Sequence, residues 1–427
     1  MIPIFLLTSF SHAQPSFHGS LSNRYKFRTA GSQADHDLET IGALDINDAS
    51  ADKWFGSFEG GGRFDLDGSN ADSTFASPFD RRAAGRLYRA YAGVNDVSVF
   101  QTIKVGRQYQ FDFEALYFDG AHLLMKPISK CTFQAFGGVP VHLYENQLGF
   151  HPGDWLAGSA VDVDALPTLK LRGDYVHLRD RASSFRFTSG DREDDLFGTT
   201  LWWTPSPKFN AMSRFTSFAD DVRDVTLSLS AGVPDKNFRV QFDAYRLLHR
   251  EDVRVIDWDA YSIAGTYEPY TEVSLKFSKD IGEHFTADVG GSARLLDEEQ
   301  IASPFNHGFK HAFVFLSAFD LPWKIVSVNA TADYYHGEDN TLKNDTFGGS
   351  FSLTHQPFPF LDVTAGTAYY LYRFNLFTGD ESDDVQTYFL EANAKLRKDL
   401  KARLGYEFED NAIDQFHSLN ARLVWSF

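Results

Sequence analysis

Charged side chains recur along this chain at even spacings, and the spacing limits what chemistry they can do. Arg24 and Arg28, Glu59 and Arg63, Lys170 and Arg172, Arg239 and Asp243, Asp288 and Arg294, and Lys401 and Arg403 are each separated by an even number of residues. On an extended backbone, such partners share one face, because successive side chains point to opposite sides. Arg422 falls in the same kind of pattern, with Ser418 and Asn420 on its parity. A face carrying both signs is hydrated, pairs internally and selects the ions near it. It supplies no nucleophile. These residues are therefore candidates for lining a wet surface, and their chemistry is electrostatic.

Catalysis needs a converging set of nucleophile, base and orienting acid. The 14 histidines are scattered, and none lies in a recognisable nucleophile motif. His177, His249 and His336 fall near expected strand ends, the ordinary place for a wet or interfacial imidazole. There is one cysteine, Cys131, which excludes an intramolecular disulfide and a cysteine metal cluster. No Cys-x-x-Cys-His run occurs, so no c-type haem is attached to this chain. The expectation is a non-enzyme without cofactor or metal. A net charge of −18 argues against nucleic-acid binding, which needs a basic face. The acidic runs 191–195, 297–299 and 380–384 read as solvated loops.

The elements that must position this charged face are strands. Val225, Leu227, Leu229, Ala231 and Val233 alternate with Thr226, Ser228 and Ser230. Phe285, Ala287, Val289, Gly291, Ala293 and Leu295 alternate with Thr286, Asp288, Ser292 and Arg294. Leu400, Ala402, Leu404, Tyr406 and Phe408 alternate with Lys401, Arg403, Glu407 and Glu409. Similar segments run from Phe17 to the end, several of them about ten residues long, the length of a tilted membrane strand. No sustained helical period competes with them. Mean hydropathy is −0.31, and no run of about 20 apolar residues exists for a membrane helix. A barrel wall needs no such run, because every second residue faces the lumen.

Tight links such as Pro205-Ser206-Pro207, Asp320-Leu321-Pro322 and Lys398-Asp399 alternate with longer polar links, including 68–86, 140–154, 180–193 and 297–309. Short turns on one side and long loops on the other predict an all-β, transmembrane, antiparallel up-and-down β-barrel. Counting hairpins gives about 22 strands, within a range of about 16–24. The segment 257–280 is ambiguous, since Tyr267-Glu268-Pro269-Tyr270 reads either as a turn or as an irregular strand. Residues 1–13 read as an atypical signal peptide: a short apolar core, Ser11-His12-Ala13, and no basic residue before Arg24. The barrel then occupies 15–427, with no plug domain. A lumen about 22 strands wide calls for a filler, either inward-folded loops such as 68–86 and 140–154 or a separate protein.

The last strand is the most diagnostic. Leu419, Ala421, Leu423, Trp425 and Phe427 form an apolar face that ends on an aromatic residue at the C-terminus. It resembles the terminal strand of Gram-negative outer-membrane β-barrels, in which Leu423, Trp425 and Phe427 would be read by the barrel-assembly machinery. Aromatic residues beside turns, including Trp54, Phe55, Trp202, Trp203, Tyr334, Tyr335 and Tyr369–Tyr372, are expected to form the interfacial girdles. A second resemblance covers roughly 54–125. Arg86-Leu87-Tyr88-Arg89-Ala90-Tyr91, Val105-Gly106-Arg107-Gln108 and Phe118-Asp119-Gly120 are similar to successive strands of porin-like barrels, including alginate-export-like channels. The alternative is the barrel component of porin–cytochrome conduits, which sheathes a periplasmic multihaem cytochrome. Both imply an outer-membrane location in contact with lipid. The first implies passive transport of small solutes or ions, with Arg107 at the pore only if a bulge breaks its shared parity with Ile103 and Val105.

Overall fold

The computed structural model describes residues 15–48, 53–67, 82–110, 116–141, 153–181, 191–218, 221–248, 269–297, 308–322, 325–337, 345–374, 381–412 and 414–427. The proposed signal segment, His249 and most of the links 68–86 and 140–154 lie outside them. The strands are β1 (Pro15–Ala30), β2 (Gln33–Asp48), β3 (Trp54–Asp65), β4 (Ala83–Val97), β5 (Phe100–Gln110) and β6 (Leu116–Met125). There follow β7 (Cys131–Pro140), β8 (Trp155–Leu166), β9 (Leu169–Arg181), β10 (Asp191–Ser206), β11 (Phe209–Phe218) and β12 (Asp221–Val233). After a 3-10 turn at Pro234–Lys236 come β13 (Phe238–Leu247), β14 (Tyr270–Ile281), β15 (Phe285–Leu296), β16 (Phe309–Leu321) and β17 (Ile325–Gly337). The last are β18 (Asp345–Phe358), β19 (Leu361–Phe374), β20 (Glu381–Lys395), β21 (Leu400–Asp410) and β22 (Gln415–Ser426).

Each strand pairs antiparallel with its sequence neighbours, and β1 pairs with β22 from Ser20↔Ser426 to Ala30↔Phe416. The 22-stranded sheet therefore has no edge. Closure leaves every ladder paired, which is the condition for a β-structure in hydrocarbon. β1 begins at Pro15, two residues before the expected Phe17. The ambiguous segment resolves at its described end, where β14 starts at Tyr270. The links on one end of the barrel are short, as expected, but at the other end the pairings of β1–β2, β11–β12 and β21–β22 also run close to their links, to Ala30↔Gln33, Phe218↔Asp221 and Asp410↔Gln415.

One parity of the wall is apolar and uncovered. Val105, Phe133, Phe197, Leu275, Val289, Leu316, Phe351, Leu390, Leu404 and Leu423 are all exposed. The opposite parity carries the charged and hydrogen-bonded groups. Exposed apolar side chains on every side of a closed sheet mark its exterior as the lipid face. The interior is not uniformly wet. Leu116, Phe118, Phe136, Leu156, Val176, Leu178 and Leu196 form a buried cluster, and by register they occupy the inner parity of β6–β10. Apolar residues on both parities of a strand, as at Leu116-Tyr117-Phe118, hide such a patch from alternation counting.

A tight corner lies nearby. Gly106, Gly120 and Gly138 are in register across β5, β6 and β7. A Cβ on Gly120 would stand 2.0 Å from the Gly137 carbonyl oxygen, and one on Gly138 2.2 Å from that of Asp119. Only hydrogen fits between such close backbones. Gly120→Val is expected to abolish the folded barrel, read as loss of the compact, heat-modifiable band on a denaturing gel.

Candidate functional site: a charged row on the lumen wall

β21, β22 and β1 place Arg403, Arg422 and Arg24 side by side. Arg403 pairs in register with Arg422, and Arg422 with Arg24. The row continues through Glu39 on β2 to Arg63 on β3. Directly opposed residues of neighbouring strands have Cβ atoms about 5 Å apart, and like charges there repel. Water in the lumen and neutral partners make the arrangement tolerable. Arg24 Nε donates to Asn420 Oδ1 at 3.1 Å, and Arg422 Nε donates to Ser22 Oγ at 2.9 Å. Neither has a carboxylate partner among the described residues. Arg403 donates to Glu391, whose other oxygen accepts from Asn393 at 2.6 Å. The three guanidinium groups border a cavity of about 350 Å³ that also contains Glu391, Glu407, Ser418 and Asn420. A concave wall with net positive charge focuses potential and concentrates anions.

The rest of the expected lining is dispersed around the wall. Arg28 donates to Asp35 at 2.9 Å, and Arg63 to Asp37 at 2.8 and 3.2 Å. Arg28, Lys26 and Arg24 thus face Asp35, Asp37 and Glu39 across one hairpin. Glu59 bonds Arg89 at 3.0 Å. Lys170 and Arg172 converge on Asp162 at 3.5 and 2.7 Å, with both cations over the Trp202 ring. Arg294 bonds Glu272 at 2.7 Å and stacks over Tyr270 at 4.5 Å. Asp243 accepts from Ser228 and Gln241. Arg239 and Asp288 border a second cavity of about 630 Å³ at the short-turn end, and Lys401 directly opposes Lys395.

Lys26, the β2 carboxylates, Arg89, and Arg214 with its partner Thr200 belong to this face beyond the expected lining, and Arg214 also pairs with Asp174 at 2.9 Å. Their signal was present: Arg24-x-Lys26-x-Arg28 and Asp35-x-Asp37-x-Glu39 mirror each other across the Gly31-Ser32 turn. Two expectations need correction. Trp202 is no girdle residue, since it lies beneath Lys170 and Arg172 on the inner parity, while Trp203 is exposed outside. Tyr335 likewise stacks on His311, with centroids 4.0 Å apart, while Tyr334 packs against Phe347. Alternation splits every adjacent aromatic pair between the two faces.

Arg107 is not at the pore. No register shift separates it from Val105, so it keeps the outer parity. It forms a two-point pair with Asp119 at 2.8 and 2.6 Å. Two bulges lie nearby, one at Gln101 before this segment of β5 and one at Tyr88, between Leu87↔Gly60 and Arg89↔Glu59. The Leu87 carbonyl beside it accepts from Tyr117 Oη at 2.7 Å and from Arg107 at 3.3 Å. His177 and His336 each share an aspartate of the next strand with a tyrosine: Asp195 with Tyr175, and Asp345 with Tyr334. These contacts fall on the outer parity near the ends of β9 and β17, an interfacial setting.

No known protein family matches the sequence, and no curated protein does. Solved structures match over nearly the whole chain. The P pilus usher PapC translocation pore superposes with a TM-score of 0.51 at 10% identity, covering 96% of this chain and 99% of that one. OpdK of Pseudomonas aeruginosa, solved with vanillate, gives 0.46 at 12% identity over 97% and 98%. OccAB3 of Acinetobacter baumannii gives 0.45 at 10% identity over 97% and 100%. Of these three, the usher superposes closely enough to speak for the fold, and at this identity it speaks for nothing more. Closed, antiparallel, apolar outside and charged within, the chain has the architecture of a transmembrane β-barrel, the fold it shares with the usher pore.

Proposed function

We propose that the protein sits in the outer membrane of a Gram-negative bacterium and passes small hydrophilic solutes passively, with anions favoured at the Arg403–Arg422–Arg24 row. The single observation behind this reading is the division of one closed wall into an exposed apolar face and a charged inner face. Lipid solvates the first, and water must solvate the second. The thirteen charged residues read from the sequence act here as pore lining, and the unpaired members of the row set the sign. Leu423, Trp425 and Phe427 serve as the assembly signal for the outer membrane's insertion machinery.

The test is conductance of the purified barrel in a planar bilayer, with haem absorbance read on the same preparation. A stable ohmic pore without haem is expected, with a reversal potential displaced towards chloride under a potassium chloride gradient. Replacing both Arg24 and Arg422 by glutamine is expected to lower the anion-to-cation permeability ratio severalfold. A silent barrel that carries haem would sink the channel reading. An unchanged ratio in the double variant would remove the row from selectivity.

A further inference from the structure

We propose that the cavity beside the arginine row is a binding pocket for zwitterionic solutes of amino-acid or dipeptide size. The proposal rests on the channel reading for access, but the pocket itself is argued from its own geometry. Its centre is Gly405. On β21, Arg403 and Glu407 lie two residues to either side, and Glu391 and Asn420 are the register partners of Gly405 on β20 and β22. A Cβ added at Gly405 would meet nothing closer than the Asn420 carbonyl oxygen at 4.0 Å, so the missing side chain leaves real space. That space is part of the 350 Å³ cavity.

The charges around the space are sorted by position. At one end, Arg422 is held by the neutral Ser22 and has only arginines as register partners, while Arg24 is held by Asn420 and has Glu39 opposite it on β2. At the other end, Glu407 has no hydrogen-bond or ion-pair partner among the described residues, and Glu391, level with Gly405 in the middle, is already engaged by Arg403. Arg403 and Glu407 are four positions apart on β21, about 13 Å between Cα atoms. Their side chains reach into that gap from both ends, leaving room for a short dipolar molecule. Its carboxylate would be received by Arg422 and Arg24, and its ammonium by Glu407. A dianion would meet the glutamates, and a dication would meet the arginines.

The test compares alanyl-alanine with two versions of the same size: N-acetyl-alanyl-alanine, which lacks the ammonium, and alanyl-alanine amide, which lacks the carboxylate. Binding to the detergent-purified barrel by calorimetry is paired with block of the single-channel current. Each charged contact is expected to contribute about tenfold, so the free dipeptide should bind about tenfold tighter than either derivative. Glu407→Gln should erase the advantage over the acetylated form, and Arg422→Gln the advantage over the amide. Gly405→Leu, which fills the pocket, should erase both. Equal binding of the free and acetylated dipeptides to the unaltered barrel would overturn the proposal, as would tighter binding of the acetylated form, which would make this a simple anion site. Calorimetric preference without any conductance would uphold the pocket while removing the channel.

Discussion

Leu390→Arg is expected to destabilise the membrane-inserted barrel by about 2–4 kcal/mol, the cost of a guanidinium on the lipid face near the bilayer midplane. Leu390 is 51% exposed, with nine residues of β20 before it and five after, and it pairs with Ala365 and Tyr406 on the outer face. Leu423→Arg should cost less, about 0–1 kcal/mol. Leu423 lies three residues from the end of β22 and two from Trp425, where a long side chain can reach the interface. Ser352→Arg, on the inner parity opposite Asn329 and Gly366, should change stability by no more than about 0.5 kcal/mol. Urea unfolding of the three variants in lipid vesicles tests the order. A Leu390 variant as stable as the Ser352 variant would mean that inside and outside have been exchanged on this part of the wall.

The order matters because facing was the most legible property of the sequence. Period-two alternation in 225–233, 285–295 and 400–408 identified strands, faces and an approximate strand number, since each of those inferences depends on local spacing alone. What alternation cannot convey is register. Arg24 lies at the beginning of the chain and Arg403 and Arg422 near its end, and nothing local joins them. They become neighbours because β1 closes on β22. The arginine row is thus a product of closure, although each member could be assigned to the inner parity beforehand.

Other features were hidden for different physical reasons. The charge ladder of β1 and β2 depends on a two-residue hairpin at Gly31-Ser32, a turn too short to resemble the longer links expected at that end. Trp202 resembles an interfacial residue because it adjoins Trp203 and a turn. Its parity, shared with Thr200 and opposite to Leu201, would have assigned it to the lumen. The buried inner cluster around Phe118 and Leu156 breaks the polar-inside rule altogether. A rule built on polar lumens has no means of anticipating it. At Arg107 the parity argument was right, and the family resemblance pointed the other way.

Deleting Phe427 is expected to reduce assembled barrel in the outer membrane by at least about tenfold, the larger of these two effects in practice because it acts before stability is established. The terminal residue makes the last backbone contacts of the seam: Gly19 N–H donates to the Phe427 carbonyl at 2.8 Å, and Phe427 N–H donates to the Gly19 carbonyl at 2.9 Å. Its ring occupies the space above Gly19, where a Cβ would stand 2.4 Å from the ring's Cζ. One residue away from Ser426, Trp425 donates its indole N–H to Asp399 at 3.0 Å, tying the strand end to the β20–β21 turn. The Asp399 carboxyl is held below the usual carboxylate range, chiefly by its own backbone N–H and further by Trp425 and Arg397. That anchor is therefore complete at neutral pH and weakens only as the carboxyl protonates in acid. One variant separates recognition of the terminal residue from closure of the seam, and a second is its control. Gly19→Leu leaves the terminal signal intact but evicts the ring, and it should assemble poorly only if the seam contact matters. Phe427→Tyr keeps the ring on its seat and should assemble normally under either account. Wild-type yield of surface-protected, heat-modifiable barrel from the deletion would show that neither the signal nor the seam depends on this residue. Poor assembly of the deletion beside normal assembly of Gly19→Leu would assign Phe427 to recognition alone.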